Sequence, residues 1–474
     1  MARSFSVSLV SAERQVSISR QACASQDRAP SLECCTHDGA FPMTESFGII
    51  GRESLDAPLS DEELRAALEE ALQTVAGEQR ILAIIPDKTR DDNTDSLFPM
   101  TARILHERGV RRFDALIAQG THAAMSEAEK RAKIGADRGV PGLGAIHDHR
   151  WDDRARLAQI GSLSGEQVAR LTGGLLTDEV PLSVNALLAP GLYDVVLVFG
   201  ATVPHEVAGF AGGAKYFFPG VAGPELTHTT HWLGALATIE RVIGRVETPT
   251  RHLIEAAAER IAPRVISINS VVVRDGGELR THALFAGDIR LAFRRAAEIS
   301  RRLHIKYTGR RYRRVVALLD EHYDEMWVGG KASYKLGGII EEGGELIIYA
   351  PQLAHLSQTH GALIEHYGYA PLEQVKQWVA QSPALREHLC VAAHLAHVAY
   401  AGRRDAQGRI VPRYRITLAS QIDRQTCARV RLGWLDHRAF RLEDYASDPD
   451  TLVVERAGRD LYLVAPEEDL LNGN

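Results

Sequence analysis

The chain has 474 residues, of which 45% are hydrophobic and 24% charged, and its formal net charge is −6. That length is more than one ordinary hydrophobic core holds, so we expect two domains. The acidic balance gives no reason to expect nucleic acid or an anionic membrane as a partner, and no apolar run approaches the ~18 residues of a membrane helix.

The N-terminal residues and the cysteines indicate a tail and a reducing compartment. Residues 1–42 are rich in Ser, Arg and Ala without sustained periodicity, so we expect a disordered tail or a mis-called start with Met43 as the first residue. An organellar transit peptide, or a metal cluster at Cys34-Cys35-Thr36-His37, is the alternative interpretation. The five cysteines are odd in number and lack zinc spacing. We expect a cytoplasmic protein in which histidine or a cofactor holds any metal.

Three apolar runs in the first half predict buried strands that end in polar residues. The runs are Ile81–Ile85, Phe113–Ala118 and Tyr193–Gly200, and they lead into Asp87-Lys-Thr-Arg90, Gly120-Thr-His122 and a glycine-rich loop, Val203–Gly220. Helices are predicted from the capping box Ser60–Glu63, over residues 99–108 and from Ser126 to Lys133. In a doubly wound sheet the carboxyl ends of the strands share one edge, so these ends predict a single pocket.

The glycine-rich loop is the strongest local indication of a binding site. Glycine lets the backbone approach a ligand and leaves N–H groups free to point at an anion. The loop and the helix predicted after it contain His205, Gly212, Gly213, Lys215, His228 and His231. A glycine-rich loop with surface histidines would have the same composition, and the convergence of three strand ends is what favours a site.

The second half continues the α/β alternation. The elements expected there are a hairpin over Val265–Gly287 that turns at Asp275-Gly-Gly277, a long basic helix Ile289–Leu303, strands at Val315–Leu319, Glu345–Tyr349, Ile416–Ser420 and Thr451–Val454, and a helix over Ala332–Ile340. The sequence therefore predicts an α/β fold with an N-terminal domain over residues 43–295 and a C-terminal domain over residues 310–474.

The ordered motifs resemble those of the nickel-pincer-dependent lactate racemase family. They are Asp87-Lys-Thr-Arg90, Gly120-Thr-His122 and Pro204-His205…Ala208-Gly-Phe-Ala-Gly-Gly-Ala-Lys215…Pro219-Gly220…His231. The third motif is long and specific, and the resemblance runs from about residue 47 to the C-terminus, more strongly in the N-terminal half. It implies two α/β domains with a cofactor in the crevice between them. It also implies a small-molecule 2-hydroxy acid substrate and dependence on cofactor-synthesis enzymes.

That cofactor is a pyridinium-3,5-bisthiocarboxylic acid mononucleotide, whose two sulfur-containing arms and one ring carbon hold nickel. The resemblance implies that Lys215 bonds covalently to one arm and that His231 supplies the fourth nickel ligand. His228 lies one helical turn before His231 and competes for that role. The acid/base residues of the family correspond to His122 and His205, and histidine suits proton transfer in both directions near neutral pH.

The resemblance assigns further contacts on both sides of the crevice. Further cofactor contacts correspond to Asp87, Thr89, Arg90, Gly212, Gly213 and Lys331. Substrate contacts correspond to Arg90, Trp327 and Lys331. An arginine suits either anion, the phosphate or the substrate carboxylate, because its fork of N–H groups binds two oxygens at once.

Two departures from the family pattern concern the substrate. Ala123 follows His122, where many members have arginine, and Trp327-Val328 stands where the family has Tyr-Gln. These changes remove polar contacts and add apolar area. The hypothesis is therefore a racemase or 2-epimerase, working by hydride transfer to and from the cofactor, whose substrate is bulkier than lactate or differently polar.

Two other functions are compatible with parts of the pattern. A zinc or manganese hydrolase or lyase would use His122, His205 and His231 as ligands, but it has no evident need for Lys215 between them. A non-catalytic nucleotide- or sugar-acid-binding protein is the second alternative. The presence of all four residues argues against it.

Overall fold

In the computed structural model of the protein, residues 48–122 and 124–466 are described, and they contain two main sheets. The predicted tail over residues 1–42, with its cysteine pair Cys34-Cys35, and the departure at Ala123 lie outside these ranges. None of the helices within them is long and apolar enough to cross a membrane.

The first sheet has seven strands, built from residues 49 to 287. In chain order they are β1 Ile49–Glu53, β2 Ile81–Pro86, β3 Phe113–Ala118, β4 Leu143–Asp148, β5 Val195–Ala201, β6 Arg264–Asp275 and β7 Glu278–Gly287. Their order across the sheet is β1-β7-β6-β5-β2-β3-β4. Neighbours from β6 to β4 are parallel, and the β6–β7 hairpin turns at Gly276-Gly277 as predicted.

Both faces of the first sheet are buried, which explains why its strands are continuous apolar runs. Along β2, Ile81, Ala83 and Ile85 pack into one core cluster, whereas Leu82 and Ile84 pack into another on the opposite face. Successive side chains of a strand point to opposite faces, so a fully apolar strand needs cover on both sides. Helices provide that cover.

The second sheet has five parallel strands. They are β8 Tyr312–Leu318, β9 Ile340–Ala350, β10 Arg415–Ser420, β11 Gly433–Asp436 and β12 Thr451–Val454, in the order β11-β10-β9-β8-β12. Short paired strands lie outside the two sheets: Leu157–Leu163 with Val180–Asn185, Pro204–His205 with Gly209–Phe210, Ile305–Tyr307 with Leu461–Leu463, and Gly402–Arg404 with Ile410–Pro412. The predicted α/β class is confirmed.

The helices surround and connect the sheets. They are Asp61–Ala71, Thr94–Glu107, Glu127–Lys133, Gly165–Thr172, Pro224–Leu236, Ile239–Val242, Pro249–Ala258, Ile289–His304, Met326–Gly329, Lys331–Leu336, Gly361–Tyr367, Leu372–Gln381, Pro383–Glu387, Leu389–Ala399, Arg424–Arg429 and Glu443–Ala446. One core cluster joins Phe210, Trp232 and Phe293 of the first half to the C-terminal core. The two halves are therefore held together by shared apolar packing.

Two predicted helix boundaries are wrong. The helix expected at residue 99 begins at Thr94, with Pro99 inside it, so the polar run before Pro99 forms its first turn. The helix expected to reach Ile340 ends at Leu336, because Gly337-Gly338 favours a tighter 3-10 turn, and β9 then begins at Ile340. Both errors arise at glycine or proline, where local propensity does not fix the boundary.

Candidate active site

The carboxyl ends of β5, β2 and β3 meet at one edge of the first sheet, as predicted, because these strands are adjacent and parallel. A cavity of about 100 Å³ lies there and is closed by residues of the second half. Residues predicted for the site that line it are Arg90, His122, His205, Lys215, His231, Trp327 and Lys331. A larger cavity of about 510 Å³ adjoins it and shares Arg90, His205 and Lys331.

Asp87 holds His122 and does not line either cavity. Its side chain is buried, Oδ2 lies 2.7 Å from Nδ1 of His122, and Oδ1 accepts hydrogen bonds from the Thr89 backbone N–H and hydroxyl. Burial acts to raise the pKa of Asp87, but His122, Arg90 and Thr89 outweigh it and hold that pKa well below its usual value. The ionised carboxylate fixes the His122 proton on Nδ1 and leaves a lone pair on Nε2. Asp87 thus orients His122 in this structure, and its assignment as a cofactor contact stays a prediction.

Arg90 and Thr89 follow Asp87 along the rim of the two cavities. Arg90 lines both cavities, and Thr89 lines the larger one. The guanidinium therefore lies where one anion in either cavity would reach it. This position is compatible with both contacts that the resemblance assigned to Arg90.

His205 is buried beside charged groups at the start of the glycine-rich loop. The Val207 backbone N–H donates to Nδ1 at 3.1 Å, so the neutral ring carries its proton on Nε2, 3.6 Å from a Glu206 carboxylate oxygen. Burial, together with the positive charges of Lys215 and Arg90, holds the pKa of His205 well below its usual value. His205 is therefore neutral and differs from His122 in which nitrogen carries the proton.

Lys215 lies on a short 3-10 turn, Gly213–Tyr216, that faces the cavity. Burial, reinforced by the Arg90 charge, lowers the pKa of Lys215 to about 7. A large fraction of the amine is therefore neutral at physiological pH. A neutral lysine amine is a nucleophile, which an ordinary surface lysine is not at this pH.

Gly212 and Gly213 are needed for packing and do not line either cavity. The Gly213 N–H donates to Asn269 Oδ1 at 2.9 Å, so it is not free for a ligand. A Cβ at Gly212, where φ is +99°, would lie 2.5 Å from Thr202 Oγ1, and one at Gly213 would meet Phe293. These glycines therefore let the loop pass close to its neighbours, and their assignment as cofactor contacts stays a prediction.

A buried arginine, Arg251, hydrogen-bonds to the backbone of the same loop. Arg251 is fully buried and donates to the Gly212 carbonyl at 3.2 Å and to the Phe210 carbonyl at 2.5 Å. Its guanidinium also stacks 3.7 Å from the ring centroid of Phe293. Because these carbonyls lie in the same loop, a few residues before Lys215, Arg251 fixes the path of the backbone that leads to the lysine.

His231 lines the cavity, whereas His228 does not. Both belong to the helix Pro224–Leu236. His231 Nδ1 lies 2.7 Å from the Thr227 carbonyl, so it carries the proton and leaves Nε2 with a lone pair. A histidine anchored at Nδ1 by a backbone carbonyl has the usual arrangement of a metal ligand. The His228 ring instead packs against two other rings, with its centroid 6.0 Å from that of Trp151 and 6.3 Å from that of His388.

The second half contributes more of the cavity wall than the sequence indicated. Burial, together with the Arg90 charge, lowers the pKa of Lys331 to about 8. The centroid of the Trp327 ring lies 4.6 Å from that of His360 and 4.4 Å from that of His394, so Trp327 is part of an aromatic cluster. Wall residues that the sequence analysis missed are Glu206, Val207, Tyr334, Cys390, His394 and His397. The available signal was two histidines three apart in the apolar run Leu389–Ala399.

The family model that matches this chain covers most of its first half. Residues 41–242 match the family model for the lactate racemase N-terminal domain. The chain is 26% identical over 194 residues to the lactate racemase of Thermoanaerobacterium thermosaccharolyticum, and 24% identical over 241 residues to that of Lactiplantibacillus plantarum. These matches cover 41% and 51% of this chain, and they span only 40% and 50% of the two relatives.

Solved structures extend the likeness to the second half. A crystal structure of a protein from Thermotoga maritima is 33% identical, with a TM-score of 0.79, over 87% of this chain and 99% of that chain. The lactate racemase apoprotein from Thermoanaerobacterium thermosaccharolyticum has a TM-score of 0.65 at 17% identity, over 87% of this chain and 94% of that chain, which shows the shared fold. Sequence motifs, family model and fold agree, and they relate this chain to the lactate racemase family, whose N-terminal domain model matches residues 41–242.

Proposed function

We propose that this protein is a racemase or 2-epimerase of a 2-hydroxy acid that carries a nickel-pincer mononucleotide. The observation that supports the proposal most is that His122, His205, Lys215 and His231 line one cavity. His122 follows the strand β3, whereas the other three belong to the glycine-rich loop and the helix after it. A pocket that both holds the cofactor and moves protons has a use for all four.

The residues fit the cofactor in three respects. Lys215 has a pKa of about 7, which suits covalent attachment to an arm of the cofactor. His231 has a free Nε2, which suits nickel. The larger cavity suits an anionic nucleotide phosphate, because its basic residues outnumber its acidic ones: Lys88, Arg90, Arg274, Lys306, Lys331, Lys335, Arg456 and Arg459 against Asp91, Glu206, Glu455 and Asp460.

The side chains divide the remaining work. When bound, the cofactor supplies a hydride acceptor and donor for C2 of the substrate. His122 accepts the hydroxyl proton at Nε2, because Asp87 keeps the other nitrogen protonated and stabilises the imidazolium. His205 presents its Nε2–H to the substrate oxygen. Arg90 and Lys331 bind the carboxylate and keep C2 in position.

For the second enantiomer, His205 exchanges the hydroxyl proton of the substrate. To accept a proton at Nε2, its ring proton must shift to Nδ1, which the Val207 N–H opposes. We therefore assign the stronger base to His122. The two directions of the reaction differ in their proton donor, while the planar 2-oxo acid between them is common to both.

The test uses protein co-produced with the cofactor-synthesis enzymes, beside Lys215→Ala and the exposed control Lys376→Ala. We expect a covalent adduct of mononucleotide mass with about one nickel per chain in wild type and control, and neither in Lys215→Ala. Chiral chromatography then follows C2 inversion over a panel of 2-hydroxy acids that includes lactate. A loaded protein that inverts none of them would contradict the proposal, and faster inversion of lactate than of every larger acid would remove the proposed preference.

The metal-hydrolase alternative has less support. Within residues 48–122 and 124–466, the only group of three His, Cys, Asp or Glu side chains close enough to share one ion is Asp320, Glu321 and His322. His122, His205 and His231 are not such a group. Stoichiometric zinc or manganese without an adduct would nevertheless favour that alternative over the racemase.

A further inference from the structure

One face of the helix Leu389–Ala399 lines the smaller cavity with polar groups that the proposed function does not use. Cys390, His394 and His397 lie at positions i, i+4 and i+7, which share one face of a helix. Every residue of this helix from Cys390 to Ala399 is buried. The two histidines therefore meet only other protein groups and the cavity.

His397 has a buried ring nitrogen without a partner. Its Nε2 makes no hydrogen bond among the described residues. One hydrogen-bonding function of Nε2 is therefore unused, as donor or as acceptor according to which ring nitrogen carries the proton.

His394 lies on the turn before. Its Nδ1 lies 2.8 Å from the Tyr334 hydroxyl, and its ring packs 4.4 Å from Trp327 and 5.6 Å from Tyr369. Its Nε2 is buried and has no partner in the described ranges. If Tyr334 donates to Nδ1, Nε2 carries a proton that it could donate. If Nδ1 donates to Tyr334, Nε2 has a lone pair that could accept.

A carboxylate completes this polar wall. Glu206 lines the same cavity. Burial acts to raise its pKa, but its own backbone N–H and the charge of Lys331 lower it, so the group is ionised at neutral pH. The three side chains offer one acceptor, Glu206, and two groups that donate or accept, His394 and His397.

The chemistry of these groups selects among the substituents that a 2-hydroxy acid can carry beyond C2. An alkyl or aryl group would leave the buried nitrogens without partners, which is unfavourable. A second carboxylate would face the Glu206 carboxylate, and the two like charges would repel each other. A hydroxyl both donates and accepts, so it satisfies the carboxylate and either state of the two histidines.

We propose that His394, His397 and Glu206 bind hydroxyl groups on the carbons beyond C2, so that the substrate is a polyhydroxylated 2-hydroxy acid of the aldonic type. This inference rests on the proposed function for the location of C2 and deepens it by naming the substrate class. The wall determines specificity, whereas the reacting groups stay those already described.

The experiment measures binding and turnover separately on cofactor-loaded protein. Calorimetry compares 2-hydroxybutanoate with the four-carbon acids erythronate and threonate, which differ from it by two hydroxyl groups, and 3-phenyl-lactate serves as the aryl probe. Chiral chromatography follows C2 of the same acids. The variants are His397→Leu, His397→Gln, which keeps a hydrogen-bonding group, and the control His366→Leu at an exposed site.

We expect wild type and His366→Leu to bind erythronate or threonate about tenfold or more tightly than 2-hydroxybutanoate. His397→Leu should lose most of that ratio, and His397→Gln should keep part of it. If His397→Leu does not fold, the wild-type ratio and His397→Gln still decide.

Tighter binding of 2-hydroxybutanoate or phenyl-lactate by wild type would overturn the inference. So would an unchanged ratio in His397→Leu, and loss of the cofactor adduct together with an unchanged ratio would assign His397 to the cofactor. Failure of the racemase function has a different signature. The hydroxylated acids would then bind with the expected preference, but their configuration at C2 would not change.

Discussion

The two halves of the molecule contribute to the cavity in different ways. In the first half, Asp87 and His122 follow the ends of parallel strands and hydrogen-bond to each other. In the second half, Trp327, His394 and His397 project from helices, and each of these histidines keeps one buried nitrogen without a partner in the described residues. Under the proposed function, the first half therefore fixes the groups that react, whereas the second half keeps hydrogen-bonding groups available for the substrate.

The substitution Asp87→Asn tests the contact between Asp87 and His122 in the first half, and it has the largest expected effect. A neutral amide at this position cannot stabilise a protonated His122, so we expect kcat to fall about 100-fold while KM and the cofactor adduct change little. The exposed Asp56→Asn is the control. A raised KM at unchanged kcat would mean that Asp87 contacts the substrate or cofactor directly, as the resemblance first implied.

The pH dependence of cofactor attachment sharpens the comparison at Lys215. Only the neutral amine reacts, and a pKa of about 7 means that its neutral fraction rises about tenfold from pH 6 to pH 8 and then levels off. Intact mass against time, with purified apoprotein and cofactor, gives the rate. A rate that still climbs from pH 8 to pH 10 would indicate an ordinary lysine and break the argument from burial.

Lys335 tests whether the second half also supports the groups of the first. This buried lysine donates to the Pro204 carbonyl at 2.5 Å, directly before His205. In Lys335→Met the carbonyl loses its partner and the loop loosens, so we expect kcat to fall roughly fivefold. The exposed control Lys376→Met should behave as wild type. An unchanged kcat would mean that Lys335 of the second half does not support His205 of the first. Complete loss of activity would indicate that Lys335 contacts the substrate directly.

The strand ends were predictable because their signals are local. Ile81–Ile85 and Phe113–Ala118 are apolar runs closed by polar or glycine residues, and parallel neighbours bring such ends to one edge. The convergence of His122, His205 and Lys215 followed from that rule, and the glycine spacing identified the loop. The family resemblance then assigned His231, and the structure adds the orientation of its ring.

The partner of each side chain was not predictable. Asp87 lies in a motif that suggests anion binding, and only the fold shows that His122 is within 2.7 Å of it. Gly213 has its N–H taken by Asn269, 56 residues away. The histidines of the helix Leu389–Ala399 lie in an apolar run, where a histidine usually belongs to the core. Such contacts depend on distant residues, and a single sequence does not give their spacing.

The position of the helix Leu389–Ala399 has a consequence for the order of events during synthesis. His122, His205, Lys215 and His231 all leave the ribosome well before it does, yet the cavity they share takes its remaining wall from this helix. In a nascent chain that has made only its first half, this wall is missing and water reaches the lysine and the three histidines. A hydrated lysine amine stays protonated, so Lys215 is a weaker nucleophile at that stage. An enclosed site therefore forms only after the second half has been made, and under the proposed function the cofactor would be attached after translation.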